Sequence, residues 1–179
     1  MGEIKSKTSS WKLGKQAARS CNKNFAAEFA KSKKETKGIT LEYINTALKC
    51  SPNFIGCFTQ DQLTNVFIND FPCFAAIHIS DDHWIALGLY ASKIEVFDPL
   101  GFDILNWKKP PHELLSFLHR MSVTRRVSII PRLQPDNSVT CGYYAIYYII
   151  QRQFSSLKKT LSCFSSVEHN DDVLYTYFK

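Results

Sequence analysis

Apolar and polar positions change their spacing along this chain, and each change predicts an element. Behind Thr40, a good N-cap, Leu41, Ile44 and Leu48 share one helical face and predict a helix; a second short helix is predicted over residues 59–68. The spacing then shortens. Residues 74–80, 84–90 and 93–97 are apolar or alternating runs, parted by Ser80-Asp81-Asp82 and Ala91-Ser92, and predict three successive antiparallel strands. After Pro110-Pro111 the helical period returns with Leu114, Leu115 and Leu118 over 112–121, with proline near the first turn, where its missing N–H costs little. A strand over 127–130 follows. From Cys141 to Phe154 the chain is apolar all round, the pattern of a helix buried inside a domain, entered from the polar loop 135–140. The fold class is α+β.

Composition narrows this further. With 179 residues, 45% of them apolar and 13% aromatic, the chain can fill one sizeable core, which excludes disorder throughout. Apolar runs such as 143–150 fall far short of the roughly 18 residues a membrane helix needs, and no secretory h-region is evident, so a soluble, intracellular protein in a reducing compartment is expected. Charge is divided unevenly: residues 1–38 carry ten Lys and Arg against three Glu, a net of +7, while the rest is −1. Residues 1–38 are therefore expected to be a flexible or weakly helical basic arm, followed by a domain over 39–179. Met1-Gly2-Glu3-Ile4-Lys5-Ser6 fits the bare myristoylation pattern, which is common by chance.

Six cysteines, at 21, 50, 57, 73, 141 and 163, show neither CxxC nor zinc-type spacing, so no metal is expected and reduced thiols are the economical reading. Only Cys141 has a chemical neighbourhood. It heads the buried helix, where orphan N–H groups and the helix dipole favour a thiolate. His83 stands at a strand start after a polar turn, and Asp98 lies just beyond the next strand but one element away in the meander. A hairpin can bring these two ends together, with the carboxylate holding the imidazole in its useful tautomer. Gln134, seven residues before Cys141, supplies an amide N–H for a developing oxyanion, and the backbone N–H of Cys141 supplies a second. Taken singly each residue is ordinary: an Asp before Pro starts turns, and a Cys in an apolar helix is usually core. The order His, Asp, Gln, Cys is what points to acyl transfer by a cysteine nucleophile.

The blocks His83-Trp84, Phe97-Asp98-Pro99-Leu100-Gly101-Phe102 and Gln134-Pro135-Asp136-Asn137-Ser138-Val139-Thr140-Cys141-Gly142 resemble the adenovirus-type cysteine endopeptidases, the adenain family. Residues 50–56 and Leu174-Tyr175 extend the similarity, which covers roughly 39–179. The resemblance implies a papain-like/adenain-like cysteine protease fold, with a central buried helix carrying the nucleophile on a mainly antiparallel sheet. It implies Cys141 as nucleophile, His83 as general base and then acid, Asp98 as its partner and Gln134 in the oxyanion hole, with Trp84 and Gly142 in support. Trp84 is read either as a cation–π partner of the imidazolium or as core. Implied substrates are viral capsid and core precursors cut at small Gly-containing sites during virion maturation, in the virion and host nucleus, by a monomer with no metal or small-molecule cofactor. An activating peptide and DNA are the implied cofactors, DNA through the basic segment Lys5 to Lys37. The chain has no cysteine between Cys73 and Cys141 to tether such a peptide, although one could add as a strand.

Three rivals are set beside this. SUMO- or ubiquitin-like-specific proteases share the residue order, but the seven-residue spacing and the Pro-Leu-Gly-Phe block favour the adenovirus type. A nucleic-acid-binding structural protein with an inactive protease domain would not need all four groups. An acyltransferase would need a coenzyme A or inositol phosphate site, of which the sequence gives no sign.

Overall fold

The computed structural model describes residues 3–79, 83–102 and 111–179, with side chains from Ser10 onward. The Ser80-Asp81-Asp82 turn, Pro110, the side chains of Lys5 and Lys7 and the myristoylation pattern lie outside the described residues. In chain order the elements are α1 (Glu3–Cys21), α2 (Phe25–Glu35), α3 (Leu41–Leu48), β1 (Phe54–Thr59), a 3₁₀ turn (Gln60–Asn65), β2 (Cys73–Ile79), β3 (His83–Leu89) and β4 (Lys93–Phe97). Then follow α4 (His112–Ser122), β5 (Arg126–Ile129), α5 (Cys141–Arg152), α6 (Leu157–Leu161), a short 3₁₀ turn (Val167–His169) and α7 (Asn170–Phe178). Thr40 caps α3 as expected, its hydroxyl accepting from the Tyr43 N–H at 3.2 Å. The second short helix is the 3₁₀ turn, held by Gln62, whose side chain accepts from the Thr59 N–H at 3.0 Å.

The five strands form one sheet in the order β1-β2-β3-β4-β5. The meander β2-β3-β4 is antiparallel, with Ala76 opposite Ala86 and Ala86 opposite Phe97. Both edges differ from the expectation of a mainly antiparallel sheet: β1 runs parallel to β2 and β5 parallel to β4. The sheet is therefore mixed. Its two faces follow the strand period of two: Phe74, Ala76, Trp84, Ala86 and Phe97 face the helix α5, while Ala75, Ile77, Ile85, Leu87 and Val96 pack with Leu114, Phe117 and Leu118 of α4. Because both faces are covered, β3 is buried throughout and reads as a continuous apolar run. All twelve residues of α5 are buried, since the sheet covers one side and α1 and α7 cover the other.

That covering corrects the expected boundary at residue 38. Residues 10–35 do not form a detached arm. Ala18, Phe25 and Phe29 are each 1% exposed. The Trp11 ring sits edge-on to Tyr177 at 4.9 Å, and Phe29 edge-on to Tyr143 at 4.9 Å, so the first two helices complete the shell around α5. At Gly14 the approach is so close that a Cβ would stand 1.9 Å from Gln151 Oε1 and 2.5 Å from Tyr177 Oη. The apolar stripe that docks this segment consists of Trp, Gly, Ala and Phe, and the lysines between them dominate its composition while facing water.

At the far end of α5 from Cys141 lies a polar cluster that alternation in β4 had concealed. The Glu95 carboxylate is 0% exposed and accepts from Arg152 Nε (2.8 Å) and Nη2 (3.0 Å), Tyr148 Oη (2.7 Å) and Lys93 Nζ (2.6 Å). Burial pushes its pKa up, but hydrogen bonds from Arg152, Lys93 and Tyr148 outweigh it and hold the carboxyl below its ordinary range.

Candidate active site

Three separate stretches of chain bring Cys141, His83 and Asp98 together. Cys141 is the first residue of α5 and 5% exposed; His83 opens β3; Asp98 follows the last residue of β4 and is fully buried. Antiparallel pairing of β3 with β4 puts the two strand ends side by side, and His83 Nε2 lies 2.7 Å from Asp98 Oδ1. With one ring nitrogen on Asp98, the other is left to hydrogen-bond Cys141. Burial alone would push the His83 pKa down. Hydrogen bonds to Asp98 and Cys141, together with their charges, push it instead up to about 9. The ring is thus cationic at neutral pH beside a sulfur atom, the pairing in which cysteine nucleophiles are activated.

The turn after Asp98 also carries the fourth residue. Asp98 Oδ1 accepts from the Leu100 N–H at 2.9 Å, and its carbonyl accepts from the Gly101 N–H at 2.9 Å. Gly101 has φ +70, and a Cβ there would fall 2.7 Å from the Arg132 backbone, so only glycine closes this turn against the incoming strand. The Pro99 carbonyl then accepts from both Leu133 N–H (2.9 Å) and Gln134 N–H (2.8 Å). Gln134 is 1% exposed, and its Nε2 donates to the Ser138 carbonyl at 2.6 Å, inside the loop that ends at Cys141. One hydrogen of that amide therefore orders the loop, and the second is the one available to a ligand.

Trp84 and Gly142 belong to the wall of the site. The Trp84 ring is 2% exposed, lies 4.7 Å from the His78 ring and donates its Nε1–H to the Ile39 carbonyl at 2.9 Å. Core packing is the better description of it, and the aromatic edge-on to His83 is Phe102, at 6.2 Å. A Cβ on Gly142 would stand 2.5 Å from Ile39 Cγ1 and 3.3 Å from Trp84 Cδ1, so glycine lets the strap before α3 close over the helix end. Ile39 and Phe102 carried no signal as site residues: Ile39 sits just before a predicted helix, and Phe102 only ends the block that begins at Phe97. Beside this strap a cleft of about 280 Å³ is lined by Lys37, Ile39, Leu41, Thr59, His78 and Trp84.

Among the described residues no group of three or more His, Cys, Asp or Glu could hold a metal ion, and no helix is long and apolar enough to cross a membrane. None of the six cysteines is in a disulfide.

No family model matches the chain, and neither does any curated protein. Among solved structures it is similar to the ASFV pS273R protease, at 16% identity over 80% of this chain and 68% of that one, with a TM-score of 0.57. The central domain of the uncharacterized Lpg1148 protein from Legionella pneumophila aligns with 70% of this chain and 82% of its own length at 16% identity, with a TM-score of 0.40 that carries no argument. The first likeness is one of fold: the α+β cysteine-protease fold expected from the sequence is found, without singling out the adenain type.

Proposed function

We propose that this chain is a cysteine peptidase with Cys141 as nucleophile. The observation that carries the proposal is His83 held between Asp98, at 2.7 Å, and the thiol of Cys141. With the thiol proton held on His83, the sulfur attacks the carbonyl carbon of a peptide bond. The carbonyl electron pair moves to oxygen, where the Gln134 amide and the Cys141 backbone N–H stabilise it. Collapse expels the amine, which receives the proton from His83, and leaves a thioester. Water then attacks the thioester as His83 takes its proton, and the second collapse releases the carboxylate and restores the thiol. Asp98 keeps the ring oriented throughout.

The finer reading is an adenovirus-type endopeptidase acting on viral precursor proteins at small Gly-containing sites. The tight contact among Gly142, Ile39 and Trp84 supports it, because a wall closed this tightly over the residue after Cys141 favours an extended substrate backbone with small side chains. Incubation with a panel of Gly-containing precursor peptides and with a ubiquitin-like precursor separates the two protease readings. A thiol-directed activity probe should label the wild type and not Cys141→Ala; labelling of both equally, or full hydrolysis by Cys141→Ala, ends the assignment.

A polyanion partner, DNA in the reading that follows from the resemblance, has its own support. Lys12, Lys15 and Arg19 of α1, Lys23 just beyond its end and Lys179 line a cavity of about 650 Å³. Burial and the neighbouring Arg19 both hold the Lys15 pKa down. Oligonucleotide binding that weakens steeply with salt, and weakens further in a Lys12→Glu/Lys23→Glu variant, is the expected result; equal binding by the variant removes this face from consideration.

A further inference from the structure

Helix α7 opens with Asn170-Asp171-Asp172, a first turn whose acids would ordinarily stay in water against the helix dipole. Asp171 does otherwise. Only 4% exposed, it accepts hydrogen bonds from three hydroxyl groups: Ser138 Oγ at 2.9 Å, Thr140 Oγ1 at 3.0 Å and Tyr144 Oη at 3.1 Å. Lys33 of α2 stands 3.5 Å away as a cation partner. Asn170, also buried, donates its Nδ2–H to the Leu133 carbonyl at 2.9 Å. These donors bracket Cys141, two of them in the loop before it and one a turn later on α5.

Two details tie this carboxylate to the chemistry. Ser138 is held at both ends, its hydroxyl on Asp171 and its carbonyl on the Gln134 amide at 2.6 Å, so displacing Ser138 displaces Gln134. Thr140 occupies the N-cap position of α5, where its hydroxyl would normally bond to an N–H of the first turn. It bonds to Asp171 instead, and no side chain caps the helix that carries the thiol. The Tyr143 and Tyr144 N–H groups bond to the Thr140 carbonyl, at 2.9 and 3.1 Å, and the dipole of the helix favours an anion forming in front of its first residues.

We propose that Asp171 is a positioning residue for the cysteine site: through Ser138 and Thr140 it sets the loop that brings the Gln134 amide and the start of α5 onto one developing oxyanion. The inference rests on the cysteine-peptidase reading and deepens it. It predicts a separation between turnover and sulfur reactivity, because His83 is held by Asp98 and Cys141, whereas the oxyanion donors depend on Asp171 through Ser138 and Thr140.

The test uses the full chain and a peptide that the wild type cleaves. In Asp171→Asn, kcat should fall by about 10²-fold, the effect of an ångström-scale misplacement, with KM little changed. The rate of Cys141 alkylation by iodoacetamide at neutral pH should stay within about twofold of wild type, since the ion pair that governs thiol reactivity is untouched. Thr140→Val, which removes one hydroxyl donor, should lose kcat in the same sense, and Thr140→Ser should restore it. An Asp171→Asn protein with wild-type kcat overturns the proposal, as does one whose alkylation rate and kcat fall in parallel, the mark of a merely structural role. If Asp171→Asn does not fold, the Thr140 pair decides by the same split. A wild type that is labelled at Cys141 and active, beside an equally active Asp171→Asn, defeats this inference alone; a wild type without Cys141-dependent turnover defeats the peptidase reading with it.

Discussion

Replacing Asp98 with Asn removes the charge that holds His83 protonated. The ring has an ordinary pKa of 6.5 and is raised to about 9 in the folded protein, against a burial effect that acts downward. Asp98 supplies the leading upward contribution and Cys141 the rest, so without Asp98 the ring should titrate at a lower pH than in the wild type. The difference between 9 and 6.5 corresponds to roughly 3 kcal/mol of interaction favouring the cationic ring. Because the folded value is the higher one, this stability is fully present below pH 6.5, declines as pH rises from there, and is gone above about 9. Two measurements follow. The alkaline limb of the pH profile for Cys141 alkylation should fall near 9 in the wild type and move to lower pH in Asp98→Asn, taking the loss of the cationic ring as its cause. Urea denaturation should show the gap in stability between the two proteins largest near pH 6 and closing toward pH 9.5. An alkaline limb that stays where it was in Asp98→Asn, or a stability gap that does not depend on pH, would show that Asp98 does not control the ring.

Gln134→Ala should lower kcat by about 10² or more with a smaller change in KM, and unchanged kinetics would place the oxyanion elsewhere. Arg152→Ala leaves the wholly buried Glu95 carboxylate short of its main counter-charge and should cost about 3–5 kcal/mol, read as a lower urea midpoint. Gly14→Val should force α1 away from Gln151 and Tyr177, costing about 1–3 kcal/mol and opening the first 38 residues to limited proteolysis. A segment that was detached to begin with would be cut equally in both proteins.

Local periodicity carried much of the fold, and pairing between distant segments carried the rest. The meander β2-β3-β4, the caps of α3 and the buried α5 could be read because their signals lie within a few residues of one another. β1 escaped because its partner β2 is parallel and lies some twenty residues on, and Gly56, with φ +128 at an irregularity in the register, breaks the strand pattern. Glu95 alternates along β4 like a solvent-facing residue; its reason for being inside is Arg152, which only the packing of α5 on the sheet reveals. The first two helices were misjudged because lysines on the outer face outnumber the few aromatic and small residues that dock them. His83, Asp98 and Cys141 could be picked out as candidates because each stands at the start or just past the end of an element, and Gln134 because of its seven-residue spacing to Cys141. Asp171 could not, since its hydroxyl partners lie about thirty residues upstream and nothing in an acidic first turn announces burial.

The Pro99 carbonyl, which receives two consecutive N–H groups, fastens the chain at Asp98 to the chain at Gln134 across more than thirty residues of sequence. α4 and the last strand consequently lie on an excursion of the chain pinched at its neck. Defects introduced along the excursion, in Phe117 or Leu118 for instance, are expected to lower the melting temperature while the surviving folded molecules turn over at the normal rate. Mutational tolerance should thus be divided by that neck: generous to activity on the α4 side, severe within a few residues of the fastening itself.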